Sequence, residues 1–517
     1  MSPHAQPELI AAVLARRDQH PDAPALVFEG RTLSWGEYAT QSVQVANGLV
    51  DLGFGPGARV GMFLGNRPEF LFTYLGLNAA RLAAVPVNTG QRGAALRHIL
   101  AHSQARAVVV DAELVDALLG AWPDPPFDIF VVGGDEGAPA AGRRFEELIS
   151  NRTTLPVLPT GPGQPVGILY TSGTTGPPRG VVADGYDLRP AQVLLSHMGA
   201  EPGETVYTCL PLFHGNALML SAMGSIWNDW VLALGKRFSA SRFWDEIRSV
   251  GAVSFTALGA MIPILLKAPP SPGDRDHNVR TVVSAACPAW AWRAFEDRFG
   301  VRLVEFYGMV DSPGLLVNDV GRVGAMGRAV TGVDFRVVDD DDRPVSDGTI
   351  GELVFRHPSG RLTHYHNNPA ATAEAYRGGW FHSGDLARRD TDGFFSFAGR
   401  KKASIRRRGE NISAWEIENV VNQIDGVLEC AAHPVSSELG EDEVKVAVVL
   451  RPGAALHPSE LIARCEGEMA SYAVPRYVEY RSELPKTATH RVRYAALNDE
   501  GITQETWDRD EQGSQRA

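Results

Sequence analysis

Short apolar runs alternate with longer amphipathic stretches over roughly the first 330 residues of the chain. The runs ARAVVVD (105–111) and FDIFVVGG (127–134) are apolar at nearly every position, as buried strands are. The stretches PEFLFTYLGLNAARLA (68–83) and AWAWRAFEDRFG (289–300) have the periodicity of amphipathic helices. This alternation predicts an α/β fold with mostly parallel sheets.

The pattern changes after about residue 331. The segment DFRVVDDDDRPVSDGTIGELVFR reads as two strands around an acidic turn, which predicts a small β-subdomain. Further along, the strand EVKVAVVL (443–450), the helix SELIARCEGEMA (459–470) and the strand RYVEYRS (476–482) predict a short α+β unit.

Composition narrows the class of protein. A chain of 517 residues is too long for one hydrophobic core, so we expect at least two domains. The net charge of −12 argues against a general nucleic-acid-binding protein, which would need a basic face. A small anionic ligand would need only a local basic site.

The cysteines and the N-terminal segment indicate a cytoplasmic protein. The four cysteines are far apart and form no CxxC pair, which excludes a disulfide framework and a zinc site: Cys209, Cys287, Cys430 and Cys465. The first 20 residues lack the pattern of a secretory signal, and no apolar run is long enough to predict a transmembrane helix.

A loop rich in Ser, Thr and Gly follows an apolar run in ILYTSGTTGPPRG (168–180). Backbone N–H groups and hydroxyls in such a loop can bind phosphate oxygens, and its glycines allow close approach. The loop is not a Walker A motif, because no GxxxxGK[ST] occurs.

This loop resembles the phosphate loop of the acyl-adenylate-forming superfamily, which includes AMP-binding acyl-CoA synthetases. Other segments resemble the family's motifs in the same order, especially those of crotonobetaine/carnitine-CoA ligase-like members: PLFHGNA (211–217), AACP (285–288), EFYGMVDS (305–312), GWFHSGDLARRDTDGFFSFAGRKK (379–402), RRRGENISAWEIE (406–418) and LPKTATHRVR (484–493). The resemblance implies a large N-terminal domain (1–401) and a small mobile C-terminal domain (402–517).

The resemblance assigns a nucleotide site. Asp385 and Arg400 would bind the ribose of AMP, and Tyr307 would offer its ring to adenine. The remaining adenylate-binding residues that it implies are Thr171, Ser172, Gly173, Thr174, Thr175, Gly176, Ala286 and Gly308.

The C-terminal domain of this family rotates between two half-reactions, and the resemblance places the hinge at Lys402. One orientation makes acyl-AMP and pyrophosphate, and the other admits CoA. In the second orientation Gly409, Glu410 and Asn411 would line the pantetheine path. The basic run Arg406–Arg408 would either meet CoA phosphates, through Arg408 above all, or be solvated.

The acyl side is predicted around His214 and Phe213, with His214 either closing the carboxylate pocket or serving as an ordinary packed histidine. The small residues near Gly259 and Cys287 would either make room for a bulky apolar acid or pack closely. We expect a carboxylic acid of secondary metabolism.

Four positions depart from the family pattern. Arg179 stands where the phosphate loop has Lys, and Arg491 follows His490 where the terminal Gly-Lys is found. Val310 replaces the motif's Thr, and Asp311 replaces the Glu that contacts Mg²⁺ and is therefore a weakened metal ligand. Arg keeps the charge of the Lys that acts at 491 but not its compact geometry, and small displacements of a catalytic group cost about 100-fold in rate.

Arg179, Asp311 and Arg491 stand at positions concerned with ATP phosphates, magnesium or the first transition state, whereas the AMP and CoA positions match. Val310 is an exception, because the hydroxyl that it lacks should also help to hold the acyl-phosphate. The hypothesis is an acyl-CoA ligase that has weakened or lost adenylation and uses acyl-AMP from a separate enzyme, so that ATP and Mg²⁺ serve it only if adenylation survives. The alternatives are a complete acyl-CoA synthetase altered by Lys-to-Arg drift, in a chain with only six lysines, or a non-catalytic acyl-AMP-binding protein.

Overall fold

The computed structural model describes residues 9–134, 141–158, 167–171, 177–183, 188–259, 261–330, 332–358, 360, 363–400, 405–407, 410–412, 414–437, 441–485, 492 and 494–513. Within them, no helix combines the length and the apolar character needed to cross a lipid bilayer.

The helices within the described residues are α1 Leu9–Gln19, α2 Trp35–Asp51, α3 Pro68–Ala79, α4 Gly93–Ser103, α5 Val115–Ala121, α6 Leu188–Ser196, α7 Gly224–Asn228, α8 Phe243–Val250, α9 Met261–Lys267, α10 Ala289–Phe299, α11 Pro369–Ala375, α12 Ala414–Val421, α13 Pro458–Glu468, α14 Tyr494–Glu500 and α15 Arg509–Gly513. A π-helix spans Asn216–Met223.

The first sixteen described strands are β1 Pro24–Phe28, β2 Arg31–Ser34, β3 Arg59–Phe63, β4 Ala83–Pro86, β5 Ala105–Asp111, β6 Asp128–Val132, β7 Arg143–Arg144, β8 Ile168–Thr171, β9 Arg179–Ala183, β10 Thr205–Thr208, β11 Val231–Leu234, β12 Ser254–Leu258, β13 Thr281–Ala285, β14 Arg302–Met309, β15 Ser312–Asn318 and β16 Arg328–Ala329. The later strands are β17 Asp334–Val338, β18 Gly351–Arg356, β19 Thr363–Tyr365, β20 Phe381–Arg389, β21 Phe395–Arg400, β22 Ile405–Arg407, β23 Glu410–Ile412, β24 Val427–Ser436, β25 Asp442–Leu450, β26 Tyr477–Arg481 and β27 Trp507–Asp508.

Two large sheets organise the N-terminal domain. Among the described strands, one sheet has the order β16-β15-β14-β13-β12-β10-β11-β1-β2, and its strands from β14 to β1 are mutually parallel. The other has the order β4-β3-β5-β6-β7 and is parallel throughout. The predicted α/β fold with mostly parallel sheets is therefore confirmed.

The apolar faces of α2 and α3 join these sheets into one core. Their buried side chains, among them Trp35, Val43 and Phe70, belong to the same apolar cluster as Leu26 of β1 and Met62 of β3. The local sequence fixes where α2 begins, because Ser34 and Glu37 cap it reciprocally through N–H bonds of 3.2 and 2.8 Å.

The predicted β-subdomain is present as the antiparallel sheet β17-β18-β20-β21. The C-terminal domain holds its own sheet, β24-β25-β26-β27, packed with α12 and α13 around a separate apolar cluster. The predicted boundary at 401/402 lies outside the described residues and stays a prediction.

Arg407 lies inside the C-terminal domain. Its side chain is 1% exposed, and its Nε lies 2.6 Å from Glu443 Oε2. Its Nη1 donates to the carbonyl oxygens of Tyr472 and Val474 at 3.1 and 2.8 Å. For this member of the basic run 406–408, both expectations are wrong: it is neither solvated nor available to CoA phosphates, because its neighbours bury and occupy it.

We predict that Arg407→Met destabilises the C-terminal domain by about 3–5 kcal/mol, because it leaves the Glu443 carboxylate buried without its partner. Hydrogen exchange of the β25 amides measures this local stability. The double variant Arg407→Met/Glu443→Leu should recover most of the loss, and Arg464→Ala, at an exposed site of α13, serves as the control. Equal protection in Arg407→Met and the control would contradict the prediction.

Candidate functional site

Antiparallel pairing assembles the predicted ribose site. Asp385 of β20 and Arg400 of β21 are register partners. The Asp385 carboxylate is buried, and Oδ2 accepts a 2.7 Å hydrogen bond from the hydroxyl of Tyr307 on β14. Two predicted nucleotide residues, 78 positions apart, thus meet at the junction of the β-subdomain with the large sheet. A buried carboxylate with a tyrosine at its side suits the hydroxyls of a nucleoside.

The predicted adenine segment is a tight turn at the end of β13. Ala286 has a φ of 65°, a conformation that L-residues rarely adopt. A Cβ added at Gly259 would lie 1.8 Å from the Ala286 carbonyl oxygen, so close packing explains the glycine. Of the two expectations for the small residues, close packing accounts for Gly259.

Glu305 supports this turn by accepting a hydrogen bond from its backbone, and the sequence analysis did not predict this role. The amide N–H of Cys287 donates to Glu305 Oε1 at 3.1 Å, and the carboxyl group is buried. Burial raises the pKa of Glu305 to about 8, although the amides of Cys287 and Ala286 and the charge of Arg406 act in the opposite direction. The available signal was one acidic residue inside the otherwise uncharged run LVEFYG (303–308).

A hydrogen bond between the two domains marks the predicted acyl side. His214 Nε2 lies 2.7 Å from Glu410 Oε1, and the ring of Phe213 is centred 4.7 Å from the His214 ring. Burial lowers the pKa of His214, but the charge and hydrogen bond of Glu410 outweigh it, so the pKa of His214 is raised above 6.5. The structure therefore brings together a residue predicted for the acyl pocket and one predicted for the CoA path.

The surfaces beside this hydrogen bond fit closely. Asn88 Nδ2 donates to the hydroxyl of Tyr472 at 2.9 Å and lies 3.4 Å from Glu410 Oε2. A Cβ at Gly90 would lie 3.1 Å from both Ala470 and the Tyr472 ring, so a larger residue would crowd the contact. Asn88 and Tyr472 carried no signal in the sequence, because their importance arises only where the domains meet.

Three departures from the family pattern lie near the phosphate-loop strands. The Tyr365 hydroxyl donates to Asp311 Oδ1 at 2.9 Å, and the Thr363 hydroxyl donates to the Asp311 carbonyl. The guanidinium of Arg179 stands 5.4 Å from the centre of the Tyr365 ring. Val310 packs against the backbone at Gly215, where a Cβ would meet it at 3.1 Å.

The Asp311 carboxylate, predicted as a weakened magnesium ligand, already accepts a hydrogen bond. Mg²⁺ requires oxygen ligands in nearly ideal octahedral geometry, and one Asp311 oxygen already accepts from Tyr365. Among the described residues, no group of three His, Cys, Asp or Glu side chains within ligand distance includes Asp311.

The structure also fixes the surroundings of the remaining predicted residues. Thr171 ends β8 opposite Arg179, Gly308 is exposed on β14, and Cys287 is buried with its thiol toward the Pro288 carbonyl at 3.7 Å. Burial raises the pKa of that thiol, so it is not a reactive nucleophile. The predicted residues outside the described part of the chain, for the whole residue or for its side chain, are Ser172, Gly173, Thr174, Thr175, Gly176, Arg400, Lys402, Arg408, Gly409, Asn411 and Arg491.

Comparison with known protein families agrees with this geometry. Residues 14–365 match the family of AMP-binding enzymes, and residues 416–491 match the C-terminal domain of AMP-binding enzymes. The crotonobetaine/carnitine–CoA ligase of Salmonella paratyphi B is 31% identical over 91% of this chain and 95% of its own length. The sulfoacetate–CoA ligase of Cupriavidus necator is 32% identical over 96% and 99%.

Solved structures share the fold. An o-succinylbenzoate CoA synthetase double mutant from Bacillus subtilis, bound to a product analogue, superposes with a TM-score of 0.81 at 20% identity, covering 96% of this chain and 98% of that one. An ATP-bound enzyme from Rhodopseudomonas palustris gives 0.69 at 23% identity, with 96% and 99% covered.

We predict that Glu305→Gln removes a pH-dependent loss of stability. The unfolded chain releases this proton near pH 4.5, whereas the folded protein keeps it until about pH 8, so stability falls as the pH rises between those values. Calorimetric melting from pH 5 to 8.5 should show Glu305→Gln gaining on the wild type as the pH rises. The exposed substitution Glu113→Gln is the control, and a constant difference in melting temperature across this range would refute the account.

Proposed function

Because this chain belongs to the AMP-binding enzymes, as an acyl-CoA ligase of the adenylate-forming family, we propose that it joins CoA to the acyl group of an acyl-adenylate. Adenylate-forming CoA ligases use ATP, Mg²⁺ and CoA and pass through an acyl-AMP intermediate. In the proposal, the first half-reaction is slow or lost in this chain, and a separate enzyme supplies the adenylate. The substrate is a small carboxylic acid in the form of its adenylate.

The contact between Glu410 and His214 carries this proposal. It holds the segment predicted to line the CoA path against the segment predicted to bind the acyl group, at a distance of 2.7 Å. Asn88 and Tyr472 close the same interface at 2.9 Å. This arrangement suits attack on an adenylate that is already formed, because it brings the thiol path to the acyl carbon.

The chemistry of the proposed step follows from these residues. The CoA thiol loses its proton to solvent or to the departing AMP phosphate, and its sulfur bonds to the acyl carbon. The bond from that carbon to the AMP phosphate oxygen breaks, so that AMP leaves with the bonding electrons. Protonated His214, favoured by Glu410, would stabilise the negative charge that develops on the carbonyl oxygen. Asp385 and Tyr307 would keep the AMP moiety in place while the acyl group reacts.

Fewer residues of this chain match those that serve the first half-reaction, in which the acid and ATP form the adenylate. A carboxylate must attack ATP there, and a correctly placed cation and metal lower that barrier. Arg491 replaces the family's lysine, Val310 lacks the motif's hydroxyl, and Asp311 is engaged by Tyr365.

A complete ATP-dependent synthetase is the second candidate. It is favoured by the curated relatives, which are CoA ligases at 31–32% identity over nearly the whole chain, and by the positive charge that Arg179 and Arg491 preserve. The hinge at Lys402 and the CoA-lining roles of Arg408, Gly409 and Asn411 are common to both candidates.

The two half-reactions should separate in the purified protein. Acid with ATP and Mg²⁺ should release pyrophosphate at least about 100-fold more slowly than supplied acyl-adenylate and CoA give acyl-CoA, because displaced catalytic groups cost about that factor. Arg491→Lys should raise pyrophosphate release and leave the thioester rate unchanged. Equal rates in the wild type would favour the complete synthetase, and binding of acyl-adenylate without any thioester would favour a non-catalytic binding protein.

Glu410→Gln should slow thioester formation by about 10- to 100-fold, because the charge-assisted bond that orients His214 is lost. The activity that depends on protonated His214 is complete at low pH and declines as the pH rises through the raised pKa. The alkaline limb of the rate profile should therefore move to lower pH in Glu410→Gln. Glu466→Gln, exposed on α13, is the control, and a variant profile that coincides with the wild type would exclude this role.

A further inference from the structure

We propose that Tyr365 is a positioning residue that withholds the Asp311 carboxylate from a divalent cation. This inference rests on the proposed function, since it names the residue through which nucleotide activation is weakened. Neither the sequence pattern nor the comparisons assign a role to Tyr365.

Two side chains of one strand donate hydrogen bonds to Asp311. Tyr365 and Thr363 lie on β19, which pairs with β9, and β9 begins at Arg179. From β19 the Tyr365 hydroxyl reaches Asp311 Oδ1 at 2.9 Å, and the Thr363 hydroxyl reaches the Asp311 backbone carbonyl. The Thr363 hydroxyl also lies 2.7 Å from the hydroxyl of Tyr376, which fixes its orientation. Side chain and backbone of Asp311 are thus tied to the same strand.

Arg179 lies beside the Tyr365 ring. Its guanidinium lies 5.4 Å from the centre of the Tyr365 ring, within the range of a cation–π contact. The planar guanidinium stacks on an aromatic face, which an ammonium does less well, so Arg at this position favours a fixed Tyr365. Burial also holds Tyr365, which is 9% exposed.

A divalent cation would compete with the Tyr365 hydroxyl for the Asp311 carboxylate. A divalent ion that binds Oδ1 shares that oxygen with the Tyr365 hydroxyl, which withdraws part of its negative charge. The ion also gains a short aspartate rather than a glutamate with an additional methylene. A hydrogen bond to a charged group stabilises its acceptor enough to lower a competing affinity by about 10-fold or more.

The test measures cation binding directly, without acid or CoA. Mn²⁺ is titrated into protein saturated with a non-hydrolysable ATP analogue, and free Mn²⁺ is followed by electron paramagnetic resonance. Tyr365→Phe should bind Mn²⁺ about 10-fold more tightly than the wild type. Asp311→Glu, whose longer side chain reaches past the phenol, should also bind more tightly and serves as a second variant if Tyr365→Phe does not fold.

Tyr494→Phe is the matched control, because the Tyr494 hydroxyl makes the same kind of bond, 2.7 Å to Glu418 Oε1, in the C-terminal domain. Its Mn²⁺ affinity should equal that of the wild type. Equal Mn²⁺ affinity in the wild type, Tyr365→Phe and Asp311→Glu would overturn the inference. Brisk pyrophosphate release by the wild type would instead overturn the proposed loss of adenylation, even if Tyr365→Phe still bound Mn²⁺ more tightly.

Discussion

The hydrogen bond between His214 and Glu410 is the constraint on which the functional arrangement depends. It spans 196 positions of sequence and joins the domain that carries the nucleotide residues to the one that carries the expected CoA path. The bond is charge-assisted when His214 is protonated, and Glu410 itself favours that state. Docking of the two domains and protonation of His214 at the predicted acyl site therefore depend on the same contact.

The nucleotide residues and the phosphate-side residues differ in how they are held. Asp385 accepts from Tyr307 within a buried pair, which leaves a carboxylate that suits sugar hydroxyls. Asp311 also accepts from a tyrosine, but there the bond competes with the cation that activation of ATP requires. Under the proposal, the same interaction supports one predicted site and weakens the other, because a ribose needs a fixed acceptor whereas a metal needs an available one.

Much of the fold could be predicted from the sequence, since periodicity located β5, β6, α3 and α10 to within a few residues. The family motifs predicted Asp385 and Tyr307 as nucleotide residues but not the hydrogen bond between them. Glu305, Asn88, Tyr472 and Tyr365 could not be found in this way, because their roles depend on contacts between segments distant in sequence. For Arg407 the sequence was misleading. A basic run predicts exposed side chains, but the C-terminal domain buries the middle residue of this one.

Exchange of labelled pyrophosphate into ATP, measured with the same preparation that converts acyl-adenylate and CoA into acyl-CoA, tests the central claim most directly. The account predicts thioester formation with little or no acid-dependent exchange, because the positions predicted to serve the triphosphate are substituted while Asp385 and Tyr307, predicted to hold the adenylate, are retained. Acid-dependent exchange as fast as thioester formation would contradict it and would identify a complete synthetase.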